Sequence, residues 1–203
     1  EGVLDLQPFL TPYFLLGIQH LVVADSRFED LVTKLRRQLL EGPVNEKEYT
    51  VLAVALAHYS FHTDYILDVT EAEQSRVDEL ILHVESGDAS DFFVALLACY
   101  MPLYKLKNIS AARKNDQIES LFEEQIEDHL RLQQIAKSVV ALTSVESGTS
   151  ADVQQQYEES PYPRWRTFST ESLARGWNES GGGWDTGVTD VLRGRKIKIL
   201  IAG

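Results

Sequence analysis

The first 145 residues repeat one pattern: a capping residue, then apolar residues three or four apart, then a glycine or proline that stops the run. Side chains at that spacing share one face of an α-helix, and such a face is stable only when buried against another element. In "SRFEDLVTKLRRQLLEGP", Ser26 and Glu29 are placed to form a capping box. Phe28, Leu31, Val32, Leu35 and Leu39 make the stripe behind it, and Gly42-Pro43 ends it. Asn45 with Glu48 opens the next helix, through "YTVLAVALAHYSF". Thr70 and Glu73 are placed for another capping box, followed by Val77, Leu80, Ile81 and Val84 and a stop at Gly87. "FLTPYFLLGIQHLVV" and "SDFFVALLACYM" are apolar on nearly every side, the mark of buried helices. Pro12 is tolerated in the first turn of one, and Pro102 checks the other. Ile118, Leu121, Phe122, Gln125 and Ile126 mark a further amphipathic helix, and "EDHLRLQQIAKSVVAL" continues helical after a bend. No strand with period two stands out. No repeat of about 34 residues recurs, and the tetratricopeptide Trp-Leu-Gly-Tyr pattern is absent, which favours an irregular helical domain over a regular solenoid.

The hydrophobic fraction of 44% suffices for a buried core. A net charge of −12 opposes binding to DNA or RNA, so no nucleic-acid partner is expected. No apolar run reaches the length of a membrane span, and no signal-peptide pattern is present, so no membrane partner is expected. The single cysteine, Cys99, lies in an apolar run and reads as a buried thiol, which fits a cytoplasmic location.

The character changes after Val145. "ESGTS" is a break, and Thr149 or Ser150 can cap a short helix carrying "ADVQQQYEE". The segment "QQYEESPYPRW", Gln155 to Trp165, follows, then the glycine-rich loop "NESGGGWDTG". "KIKILIAG" ends in a near-continuous apolar run, Ile197, Ile199, Leu200 and Ile201, that suits a parallel strand buried on both faces. An apolar strand running into glycine is how a nucleotide-binding α/β domain begins.

The segment "QQYEESPYPRW" resembles the "QYEENPYPRW" segment of a family of bacterial class I S-adenosylmethionine-dependent methyltransferases, with Ser160 in place of the usual Asn. Members often carry N-terminal tetratricopeptide repeats, and rickettsial protein-lysine methyltransferases are relatives. "FEDLVTKLRRQLLEGPV", "LAVALAHYSFHTDYILDVTEAE", "LLACYMPLYKL" and "ILIAG" resemble further segments of the same family, in order along nearly the whole chain. The resemblance implies an all-α, irregular multi-helix accessory domain over residues 1–148. A connector over 149–168 follows, and 169–203 hold a linker and the first strand of a Rossmann-like methyltransferase domain that breaks off inside its first cofactor motif. Gly203 corresponds to the first glycine of the cofactor loop. The implied cofactor is S-adenosylmethionine, bound by the parent protein, and these residues alone are expected to be inactive. The implied work of the helical region is recruitment of a protein substrate or partner, homodimerisation, or covering of the active site.

Two roles fit the connector. Tyr157 can pack on or hydrogen-bond the cofactor as part of a flap, or Tyr162 and Trp165 can plug a rigid joint between domains, which prolines and aromatics commonly build. Arg164 and Arg166 suit surface ion pairs. His58 and His62, four apart on a helix, put two imidazoles on one face, with Asp64 nearby. No recognised pattern supplies a third ligand, and "HYSFH" lacks the Glu of a zinc hydrolase, so no metal is expected. His20, His83 and His129 stand isolated, and "ESLFEEQIEDH" reads as a solvated helix face. No catalytic residue suggests itself. A different class of function, a non-enzymatic tetratricopeptide-like scaffold that binds proteins, fits the same helices.

Overall fold

Helix starts and stops in this chain follow from short-range chemistry. A computed structural model describes residues 4–109, apart from 22 and 24, together with residues 116–138. The helices are α1 (Pro12–His20), α2 (Ser26–Glu41), α3 (Glu46–His62), α4 (Glu71–Glu85), α5 (Asp91–Ala98), α6 (Glu119–Phe122) and α7 (Asp128–Ser138). A five-residue π turn, Glu123–Glu127, joins α6 to α7 where the sequence reading expects a bend. Short 3₁₀ turns occupy Gln7–Leu10 and Leu103–Lys105. No strand occurs among the described residues, which form an all-α assembly. The expected connector and the terminal strand at 197–201 lie outside them.

Local rules decide two starts differently. At α4 the capping box forms as expected: Glu73 N–H donates to Thr70 Oγ1 at 3.2 Å, and Thr70 N–H donates to Glu73 Oε2 at 2.9 Å. At α2 the expected box on Ser26 and Glu29 does not form. Asp25, one residue earlier, is the cap, accepting from Arg27 N–H at 2.9 Å. A carboxylate there also holds the Arg27 guanidinium at 2.8 Å, so Asp25 gains two partners where Ser26 offers one.

The core is organised around α3. Every residue from Thr50 to Phe61 on it is buried except Val51, because α1, α2, α5 and α6 all pack against it. Its alanines let neighbouring backbones come close. The α2 stripe enters the core through Val32, Leu35 and Leu39, the α4 stripe through Val77, Leu80 and Val84, and α5 is buried from Phe92 to Ala98 except at Phe93. Each fully buried Leu or Val contributes about 1.5–3 kcal/mol of transfer free energy. The expectation of a buried first helix is met only at Ile18. Tyr13 is 92% exposed and Leu16 56%, so α1 lies on the rim with one side open.

One polar cluster sits inside this apolar frame. Arg36 on α2 is only 1% exposed and Glu73 on α4 is fully buried. Glu73 Oε2 accepts from Arg37 at 3.0 Å and from the Thr70 hydroxyl at 3.0 Å, and Glu73 Oε1 accepts from the Tyr100 hydroxyl at 3.1 Å. Arg36 donates to the Asp68 carbonyl at 2.7 Å and lies over the Tyr100 ring, 4.2 Å from its centre. Burial pushes the Glu73 carboxyl up, but hydrogen bonds from Thr70, Arg37 and Tyr100 outweigh it and leave it below the usual carboxylate range. The cluster ties α2, α4 and the end of α5 together. Beside it Cys99 is fully buried, as expected, and burial pushes its thiol up to about 12, so it is inert.

Candidate functional site

A helix spacing and an irregular turn build the most chemically distinctive site among the described residues. His58 and His62 stand one turn apart near the end of α3, on the same face. Opposite them the chain leaves α6 and widens into the π turn, which carries Glu124. Such single-turn widenings recur at functional sites, because the extra residue redirects the side chains around it. Here Gln125 is fully buried and accepts from Leu103 N–H at 3.0 Å, while Glu124 beside it faces the histidines.

The geometry is tight. Glu124 Oε2 lies 2.6 Å from His58 Nδ1, and Glu124 Oε1 lies 2.8 Å from His62 Nε2. The other nitrogen of His58, Nε2, lies 3.1 Å from Ser120 Oγ. The two rings are close to parallel, 20° apart with centres 6.0 Å apart. Side-chain exposure is 7% at His58, 5% at His62 and 19% at Glu124, so the carboxylate is the solvent-facing member. Burial pushes the Glu124 carboxyl up, but hydrogen bonds to His58 and His62, and their charge, hold it far below the usual carboxylate range.

The backbone beyond the pair is unusual. Asp64 and Tyr65 both adopt positive φ, 51° and 58°, directly after α3. Asp tolerates that region, whereas a bulky Tyr there is strained and persists only where surrounding structure enforces it. Tyr65 N–H donates to the Ser60 carbonyl at 2.8 Å, which folds the chain back onto the last turn of α3. Ser60 Oγ, on that same stretch, is buried without a hydrogen-bond partner among the described residues.

One carboxylate oxygen and two imidazole nitrogens, all within 4.8 Å of one another, are a donor set that can hold a metal ion. No other such group occurs among the described residues. A surface groove of about 420 Å³, lined by Leu40, Pro43, Arg76, His83 and Phe93 among others, includes none of the three.

No protein-family model, curated protein or solved structure matches this chain. Tyr157 and Gly203, the residues expected to touch S-adenosylmethionine, lie outside the described residues, as do Tyr162, Arg164, Trp165 and Arg166. The fold brings His58 and His62 together as their spacing foretells, but the third member is Glu124, not Asp64. Glu124 was hidden in an acidic run that reads as solvated. A signal was nevertheless available: Glu124 stands three residues after Leu121, a fully buried position, and so on the inward side of its helix. The isolated histidines divide by neighbour. His83 meets Phe93 edge-on with ring centres 5.2 Å apart, and His129 stacks on Tyr104 at 3.8 Å.

Proposed function

We propose that this chain supplies the helical accessory region of an S-adenosylmethionine-dependent methyltransferase that acts on protein. The observation that carries the reading is the ordered pair "QYEESPYPRW" and "KIKILIAG". In the sequence an aromatic, proline-bounded segment is followed by an apolar run that ends in glycine, the order in which the resembled family passes from helices to cofactor domain. The all-α build of the described residues supports the first half of that order. Methyl transfer requires donor and acceptor to be held in line at short range, so a domain that seats the protein substrate beside the cofactor cleft raises the rate through positioning. In this reading Gly203 approaches the cofactor, Tyr157 lies at the cleft, and residues 1–148 recruit substrate, dimerise or cover the site.

The test is calorimetric. S-adenosylmethionine is titrated into the 203-residue chain and into the product of the same reading frame followed beyond codon 203. Micromolar binding is expected for the longer product alone. Micromolar binding by the 203-residue chain overturns the division of labour. A frame that stops, or continues only into helical repeats, overturns the methyltransferase reading in favour of a protein-binding scaffold.

A further inference from the structure

We propose that His58, His62 and Glu124 form a binding site for a divalent metal of the zinc class. The inference is independent of the methyltransferase reading, because it rests only on side chains of α3 and the π turn.

His58 Nδ1 and His62 Nε2 approach the two oxygens of one carboxyl group at 2.6 Å and 2.8 Å, and contacts this short each hold a hydrogen between the two atoms. A divalent cation can take the place of both inward hydrogens, binding two neutral imidazoles and one anionic oxygen. Two metal–ligand bonds of about 2.1 Å at a tetrahedral angle separate their donor atoms by about 3.4 Å. The two Glu124 contacts need to open by less than about 1 Å, and the widest pair of donor atoms, at most 4.8 Å apart, needs to close by no more than about 1.4 Å.

A ligating histidine is normally oriented through its other ring nitrogen. His58 meets this condition: with Nδ1 turned inward, Nε2 is held by the Ser120 hydroxyl, which can accept from it once the tautomer changes. Both histidines are carried by the most buried helix of the assembly, so their positions are fixed before any ion arrives.

Three protein donors with the carboxylate turned to solvent leave room for a fourth, exchangeable ligand, as in His-His-Glu zinc sites. Mixed nitrogen and oxygen donors favour zinc, cobalt or iron over calcium, which takes six or more oxygens.

The test uses the whole chain freed of metal by a chelator. Zn²⁺ and Ca²⁺ are each titrated while thermal unfolding and calorimetry are followed, and Co²⁺ is added for its visible absorption. One equivalent of Zn²⁺ is expected to bind with micromolar or tighter affinity and to raise Tm, because an ion bound only by the native state stabilises it. Ca²⁺ is expected to do nothing, and Co²⁺ to give the intense bands of a low-coordinate nitrogen–oxygen site. Glu124→Gln and His62→Ala should each weaken Zn²⁺ binding at least tenfold. Circular dichroism of both variants checks that the helices survive, and His20→Ala, an exposed change, should leave binding intact. The proposal is overturned if the folded wild type takes up no equivalent of Zn²⁺. Binding that survives Glu124→Gln and His62→Ala alike, or Ca²⁺ binding equally well, overturns it too. If both variants unfold, the Co²⁺ spectrum of the wild type decides: octahedral, weakly absorbing cobalt contradicts the site.

Discussion

Glu73 illustrates how a single residue serves two levels of structure. Its side chain closes the α4 capping box and also receives Arg37 and Tyr100 across the core. Removing one partner from a buried charge cluster strands the others, which costs about 3–5 kcal/mol. Glu73→Gln is therefore expected to lower the urea unfolding free energy by that order, with helix content retained in the absence of urea. The same residue sets an acid limb. Its carboxyl is held below its ordinary value in the native state, so the stability it contributes is complete above the unfolded pKa of about 4.3. That stability is lost as pH falls through the native value. Urea titrations from about pH 6 down to pH 3 should show the wild type weakening once pH falls below about 4.3, and Glu73→Gln weakening less. Equal slopes for the two proteins would remove Glu73 from the acid response. Residue types alone foretold the Thr70 and Glu73 box. They did not foretell Arg36 and Tyr100, because no local rule links residues 27 or more positions apart in sequence, as Glu73 and Tyr100, or Arg36 and Asp68, are.

At the scale of elements, caps and stripes carried most of the information. The stops at Gly42 and Gly87 and the buried faces of α2, α4 and α5 follow from spacing and composition, which are local properties. Gly87 has φ 87°, the left-handed conformation glycine adopts without strain. Two features escaped for physical reasons. Asp25 outcompetes Ser26 as the α2 cap because a carboxylate can serve the backbone and Arg27 together. The π turn has no sequence signature; it follows from packing that buries Gln125 while Glu124 meets α3. Caps give the sharpest element-level prediction. Thr70→Ala removes the side-chain acceptor for Glu73 N–H, and the change should cost about 0.5–2 kcal/mol in chemical unfolding. A cost near zero would mean the box contributes nothing beyond the helix it starts.

For the whole molecule, the helical class was legible because helix periodicity persists across nearly every segment of residues 4–138. The meeting of Glu124 with His58 and His62 was not, since it joins residues 62 and 66 positions apart. No helix among the described residues is long and apolar enough to cross a membrane. Presenting a surface to another protein is the work proposed for these helices. The most direct measurement is transfer of a labelled methyl group from S-adenosylmethionine to protein, using the product of the reading frame that runs through residue 203. The account predicts label in a protein acceptor, and loss of that label when Tyr157→Ala and Gly203→Val are introduced together. A well-folded product that transfers no methyl group to any protein would contradict it.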